Sequence, residues 1–179
     1  MDALCRMIGT DGTFIAENGG VFRTGFTGKL TITGDQTAVH AALKTVQDHF
    51  RKAGTELELY SPQYRYTDLA FARTVPVDEV WEVLSGVPVQ VLDTGYAIHL
   101  QTPGITKGTA LKLLAPAMGR TPDEFLAVGD SLNDLQMLQS AGVGVTLANG
   151  HPALKAAAGA VMKKEYGDGF VEAVETYFG

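Results

Sequence analysis

The C-terminal part of the chain, from Pro103 onward, predicts an α/β fold built on a parallel sheet. Short apolar runs that suit buried strands alternate there with longer amphipathic stretches that suit helices, and strands joined through helices in this way run parallel with right-handed crossovers. A second observation sets the organisation. Residues 21 to 101 break the alternation and read as a small α+β module inserted into the core. The expected domains are therefore an α/β core of residues 1–20 and 102–179 and an inserted domain of residues 21–101.

The elements follow in order. Residues 3–8 suit a short helix, and Phe14-Ile15-Ala16 forms an apolar strand that leaves through the polar, glycine-rich turn Glu17-Asn18-Gly19-Gly20. The insert then reads strand, strand, helix, strand, strand, helix, strand, strand. Its first helix spans 36–50, with Val39, Leu43, Val46 and Phe50 at helical spacing, Asp35 as N-cap and Gly54 as stop. The second spans 76–84, with Val77, Val80 and Leu84 inward and Gly86 beyond its end. Leu30-Thr31-Ile32 and Leu69-Ala70-Phe71 stand in similar places before the two helices, as in a short internal duplication.

The alternation of residues 96–100 after the turn Asp93-Thr94-Gly95 predicts a half-exposed antiparallel strand, so the module should present one open sheet face. In the core, helices are expected at 106–118, 132–140, 152–158 and 170–178. Strands are expected at 125–128, 143–147 and 160–162.

Composition narrows the function. A length of 179 residues suits one ordinary domain or two small ones, with ample core for independent folding. The net charge is -6 and only 14 Lys and Arg are present. They are scattered, Lys163-Lys164 being the longest basic run, which argues against a nucleic-acid surface. No run approaches the roughly 18 apolar residues of a membrane span, and the start lacks the basic-then-apolar order of a secretory signal. The lone Cys5 forms no intramolecular disulfide. A soluble, cytoplasmic protein without nucleic-acid or membrane partners is expected.

The chemistry concentrates in Gly129-Asp130-Ser131-Leu132-Asn133-Asp134, at the end of the apolar run Phe125-Leu126-Ala127-Val128. Ordinary capping of the next helix explains some of these polar groups. Two carboxylates four residues apart at the C-terminal lip of a parallel strand point further, to a Mg²⁺ site, since such lips bind ligands and Mg²⁺ prefers hard oxygen donors. Lys107 stands at the start of a helix, where the macrodipole alone disfavours a cation. Beside a phosphate, its ammonium would stabilise both the bound anion and the charge that develops in transfer.

Lys107, the 129–134 segment, the turn Leu147-Ala148-Asn149-Gly150 and Gly167-Asp168-Gly169 together resemble the haloacid dehalogenase superfamily of phosphatases. The Glu17-Asn18-Gly19-Gly20 turn and the size of the insert are similar to the subgroup of archaeal phosphoglycolate phosphatase and its sucrose-phosphate and mannosyl-phosphoglycerate phosphatase relatives. The resemblance implies a Rossmannoid core with an inserted cap. It also implies Mg²⁺ held by Asp130 and Asp134 directly or through water, Ser131 and Asn133 orienting them or the phosphate, Lys107 on the phosphoryl group, and a small phosphorylated metabolite as substrate. Within it, phosphoglycolate is the leading substrate, a sugar phosphate the alternative, and a non-catalytic phosphate-binding or metal-binding remnant the contrasting class.

The family's nucleophile lies in a first motif, Asp-x-Asp-Gly-Thr, after an N-terminal strand. Gly9-Thr10-Asp11-Gly12-Thr13 matches its last three letters, but Glu17 follows Thr13 too soon for the helix and second strand that should intervene. The stretch reads instead as a loop from helix to strand, with Gly9 ending the helix and Asp11-Gly12 in a turn. The core is then expected to lack the strand between Phe14–Ala16 and the 125–128 strand. The gap should be closed by re-pairing, filled through homo-oligomerisation, or explained by a truncated reading frame. The chain alone is expected not to hydrolyse p-nitrophenyl phosphate.

Other residues fall outside this constellation. His40 and His49 are expected to face solvent, His99 to point toward the cleft and His151 to start a helix, with no metal-spaced histidine cluster. Arg65 and Arg73 are expected at the surface, and Trp81 and Phe50 in helix packing.

Overall fold

A computed structural model describes residues 1–179. In chain order the first elements are α1 (Asp2–Ile8), β1 (Phe14–Ala16), β2 (Val21–Arg23), β3 (Thr31–Ile32) and α2 (Gln36–Lys52). Next come β4 (Asp68–Ala72), α3 (Val77–Val83), β5 (Gln90–Asp93) and β6 (Ala97–Gln101). The last segment holds α4 (Lys107–Ala117), β7 (Leu126–Gly129), α5 (Leu135–Ser140), β8 (Val143–Thr146), α6 (Pro152–Ala157), β9 (Ala160–Val161) and α7 (Tyr166–Phe178). Two compact units form, one of Met1–Lys29 with Thr106–Gly179 and the other of Leu30–Ile105. The borders fall at 29/30 and 105/106 rather than at 20/21 and 101/102. The reason is β2, which stays with the core by pairing antiparallel to β1, Ile15 opposite Phe22.

In the first unit, α1 ends at Gly9, whose φ of 77° is open to glycine at little cost. Asp11 then accepts hydrogen bonds from the Thr13 amide at 2.8 Å and the Thr13 hydroxyl at 3.1 Å. This is a local aspartate turn, the loop geometry expected of residues 9–13. The strands β7, β8 and β9 are parallel, with Val128 opposite Val145 and Thr146 opposite Val161. Strand alternation sorts their side chains to two faces. Leu126, Val128, Val145, Leu147 and Met162 pack with Ala173 of α7, and Ala127 packs with Leu138 of α5 and Leu154 of α6.

The last helix begins at Tyr166, one turn earlier than expected, and takes in the Gly167-Asp168-Gly169 stretch. Gly169 serves close packing there, since a Cβ would lie 2.4 Å from the Lys164 carbonyl oxygen. Strands β1 and β7 do not pair with each other, so the expected gap is not closed by re-pairing.

The second unit is a three-stranded antiparallel sheet in the order β4-β6-β5 with α2 and α3 on one face. Asp35 caps α2 by accepting from the Thr37 amide at 2.9 Å. Val39, Leu43, Val46 and Phe50 of α2 pack with Leu69, Phe71, Ile98 and Leu100, and each large side chain so buried contributes about 1.5–3 kcal/mol. Only β4 forms between the two helices, with Leu59 adding an isolated bridge to Phe71. Because β3 takes no part in this sheet, the two halves are not structural duplicates. Strand β6, expected half-exposed, is the central strand, and both Ala97 and Gln101 are buried. Trp81 lies half exposed rather than in the core, while Phe50 is buried.

Arg65, expected at the surface, is drawn inward by Asp68. The Asp68 carboxylate is fully buried, with Arg65 Nη1 at 2.5 Å and His99 Nδ1 at 2.8 Å. Burial alone would raise its pKa, but the His99 hydrogen bond and the Arg65 charge outweigh that cost and hold the carboxyl below its usual 3.8. A depressed carboxylate stabilises the fold fully above its unfolded value, and the contribution is lost as pH falls through the folded value. We expect Asp68→Asn to cost about 1.5 kcal/mol near neutrality and to flatten the acid limb of stability below pH 4, measured by urea unfolding across pH. Arg73 remains exposed and pairs with Asp93 at 3.0 Å, as a surface arginine should.

Candidate active site

The site grows from two helix starts and one strand end in the first unit. Helix α4 opens on a reciprocal cap, in which the Thr109 amide donates to the Thr106 hydroxyl at 3.0 Å and the Thr106 amide donates to the Thr109 hydroxyl at 2.9 Å. This fixes the first turn and hence the position of Lys107. The strand β7 ends at Gly129, and the chain then makes a single 3-10 turn over Leu132–Asp134 before α5.

Asp134 joins the two starts. Its Oδ1 accepts from Lys107 Nζ at 2.6 Å, and its Oδ2 accepts from the amides of Ser131 at 3.1 Å and Asp130 at 3.2 Å. One carboxylate therefore satisfies orphan helix-start donors and compensates the cation that the α4 dipole disfavours. The capping reading of this segment is thus realised in Asp134, which pairs with Lys107 as well. A side chain at Gly129 would not fit beside it, because a Cβ there would come within 2.4 Å of Asp134 Cβ.

Asp130 lies next to this pair. Its Oδ1 accepts from the Ser131 hydroxyl at 3.1 Å and its Oδ2 from Asn149 Nδ2 at 3.0 Å. The Asn149 side-chain oxygen in turn accepts from the Tyr166 amide at 2.8 Å, tying the 147–150 turn to the start of α7. The His151 amide donates to the Asp130 carbonyl at 2.8 Å, and His151 Nδ1 accepts from the Ala153 amide at 3.2 Å, capping α6 as expected. Asn133 donates through Nδ2 to the Asn18 side-chain oxygen at 3.0 Å, which brings the 17–20 turn to the same corner. Glu17 and Asn18 both adopt positive φ, 50° and 52°, a conformation that non-glycine residues seldom take outside constrained sites. The Asn133 side-chain oxygen is buried without a hydrogen-bond partner.

All five residues singled out from sequence, Lys107, Asp130, Ser131, Asn133 and Asp134, thus meet in one corner. Two others that sequence reasoning used only as turn markers, Asn18 and Asn149, touch it directly. Their amide side chains and their place in glycine-rich turns were the available signal. His40 and His49 lie on exposed α2 positions, bonded to Gln36 at 3.2 Å and Glu79 at 2.7 Å. His99 is held by Asp68 in the other unit.

This corner can be compared with known proteins. The haloacid dehalogenase-like hydrolase family matches residues 90–174. A phosphoglycolate phosphatase of Methanoculleus marisnigri is 56% identical over 180 residues, covering 99% of this chain and 77% of the relative. The chain belongs to the haloacid dehalogenase-like phosphatases.

A second phosphoglycolate phosphatase, from Methanospirillum hungatei, is 45% identical across 99% of this chain and 77% of its own length. Among solved structures, the Thermoplasma acidophilum 0175 protein superposes with a TM-score of 0.82 at 24% identity, covering 97% of this chain and 76% of its own. A haloacid dehalogenase-like hydrolase from Bacteroides thetaiotaomicron gives 0.76 at 20% identity, covering 98% and 81%. At these identities the structures speak for the fold: a haloacid dehalogenase-type α/β core. No helix of this phosphatase is long and apolar enough to cross a membrane.

Proposed function

We propose that this phosphatase acts on phosphoglycolate with Mg²⁺, and that the 179-residue chain carries the metal-holding and phosphate-holding side of the site. The observation that supports it most is the Lys107–Asp134 pair at 2.6 Å, with the Asp130 amide donating to the same Asp134 carboxylate at 3.2 Å. Lys107 is the phosphoryl-binding cation, kept in place by Asp134. Its side chain is 30% exposed, so a phosphate can reach it. Ser131 and Asn149 orient Asp130, and Asn133 offers an acceptor oxygen that the protein itself leaves unused.

The donor set suits Mg²⁺. That ion is commonly held by one or two carboxylates, with water and substrate phosphate completing its shell. No three His, Cys, Asp or Glu residues cluster as an all-protein cage would require. Asp130 is the direct ligand in this reading. Asp134 was expected to share the role, but its carboxylate is only 8% exposed and is already neutralised by the Lys107 ammonium, so we assign it to positioning Lys107. When bound, the ion would neutralise charge on the phosphoryl oxygens. Phosphoglycolate is preferred over a sugar phosphate because the relatives at 56% and 45% identity carry that name.

No third carboxylate stands with Asp130 and Asp134 to serve as nucleophile, and Asp11 is committed to its own turn. The chain by itself should therefore bind Mg²⁺ and inorganic phosphate without turnover. Isothermal titration with MgCl₂ in the presence of phosphate tests this. Asp130→Asn should weaken the Mg²⁺ affinity by at least about tenfold, and p-nitrophenyl phosphate should remain intact. An unchanged affinity removes the metal assignment. Turnover that Asp130→Ala abolishes would mean that the nucleophile lies within these residues.

A further inference from the structure

The turn after β1 carries more than its backbone explains. Glu17 and Asn18 hold φ of 50° and 52°, and Gly19 follows at 111°. Glycine takes such angles at little cost, whereas other residues keep them only where their surroundings hold them in place. Two contacts help to do so here. The Gly20 amide donates to the Glu17 carbonyl at 2.9 Å and closes the turn. Gly19 packs against the opening of α4, where a Cβ would come within 2.1 Å of the Thr106 carbonyl oxygen and 3.0 Å of the Lys107 nitrogen. Asparagine tolerates the left-handed region better than most residues, but glycine at position 18 would be cheaper still. The backbone therefore permits Asn18 without requiring its side chain.

That side chain has a definite partner. Asn18 Oδ1 accepts from Asn133 Nδ2 at 3.0 Å, although the two residues stand 115 apart in sequence. A primary amide carries donors on its nitrogen and an acceptor on its oxygen, so committing the Asn133 nitrogen to Asn18 also decides where the Asn133 oxygen goes. Turning the Asn133 amide over would set oxygen against oxygen. The Asn133 oxygen so placed is buried and has no partner within the protein, in the residue next to Asp134 and three after Asp130. Buried acceptors are nearly always satisfied, so a group from outside the chain is called for. A cation, or a water bound to one, meets the oxygen well, whereas the NH2 of a reversed amide would repel it. We propose that Asn18 is a positioning residue of this phosphatase. Acting through Asn133, it keeps an amide oxygen rather than an amide NH2 available to the ion. The inference rests on the Mg²⁺ reading above and adds to it a residue from the turn after β1.

The test reads orientation and binding separately. In the metal-free, isotope-labelled chain, the side-chain NH2 signals of Asn133, assigned by their absence from Asn133→Asp, should exchange slowly with solvent. Asn18→Gly relieves the left-handed backbone while removing the acceptor, so the urea midpoint should hold or rise. Exchange of the Asn133 NH2 should nevertheless quicken by at least about tenfold. Mg²⁺ affinity, measured by calorimetry in the presence of inorganic phosphate, should fall by about tenfold. Asn18→Asp keeps an acceptor in the same place and offers no donor, so it should restore both slow exchange and affinity. Exchange or affinity that Asn18→Gly leaves unmoved would overturn the proposal, because the turn would then act through its backbone alone. Loss of both in Asn18→Asp would overturn it as well, since Asn18 would then be the donor and the Asn133 oxygen its acceptor. An unaltered chain that takes up no Mg²⁺ removes the proposed function and this inference together, a result distinct from an affinity that survives in Asn18→Gly.

Discussion

Replacing Asp134 by alanine should destabilise the protein by about 3 kcal/mol, among the largest effects of any single polar substitution in the chain. Breaking a buried ion pair costs about 3–5 kcal/mol because the surviving charge is left uncompensated. Here the carboxylate side is nearly buried at 8% exposure, but the lysine side is 30% exposed and regains some hydration, so the lower end applies. To this is added the loss of the acceptor for two amides, those of Asp130 and Ser131. Asparagine keeps an acceptor oxygen but no charge, so Asp134→Asn should cost about half as much, since a neutral hydrogen bond is roughly half as strong as a charge-assisted one. Urea unfolding of both variants checks the ordering. A cost below about 1 kcal/mol for Asp134→Ala would place the pair among ordinary surface ion pairs and would remove Asp134 as the support of Lys107.

The same residue shows how much was legible in the sequence. Two carboxylates four apart after a short apolar run, and one lysine at a helix start, are local patterns, and local patterns place residues well when each belongs to a regular element. So Lys107, Asp130 and Asp134 could be brought together from sequence, and the elements around them follow their hydrophobic periodicity to within a turn. What the pattern could not say is which partner each oxygen takes. Asp134 was read together with Asp130 as a holder of the ion, because spacing records only that both stand at the lip. Its Oδ2 takes the nearby amides of Asp130 and Ser131, but what holds Oδ1 is a lysine 27 residues away.

The misses have the same cause in longer range. Asn18 reaches Asn133 across 115 residues, and nothing in the Glu17-Asn18-Gly19-Gly20 turn encodes that meeting. Arg65 was read as exposed because arginine usually is. The carboxylate that draws it in is only three residues on, but that carboxylate is buried through His99, 31 residues further along. Strand β6 was read as half-exposed from its alternation, yet its burial follows from lying between β4 and β5, a property of sheet order rather than of its own residues. The loop at residues 9–13 is the opposite case. Its three-letter match to an active-site motif was outweighed by spacing, and the Asp11–Thr13 bonds are those of a simple turn.

Gly108→Ala is expected to have an effect of similar size to the loss of Asp134, by a different route. Helix α4 crosses α5 at this residue, and a Cβ on Gly108 would lie 2.3 Å from the Gln136 carbonyl oxygen and 2.5 Å from its carbon. Those are backbone atoms of a packed helix, so no rotamer change relieves the clash and the two helices must separate. Alanine's better helix propensity returns less than about 1 kcal/mol, whereas overpacking typically costs about 1–3 kcal/mol and sometimes more. A net loss of about 2–3 kcal/mol follows. The separation also moves Lys107, the neighbouring residue, away from Asp134, so phosphate binding should weaken together with stability. Gly167→Ala is the control: no atom lies within 4 Å of its added Cβ, and it sits in α7. There the same substitution should stabilise by up to about 1 kcal/mol. If both glycine variants instead move the urea midpoint by the same small amount, the close approach of α4 to α5 is not what fixes Lys107, and its position must rest on the Thr106–Thr109 cap alone.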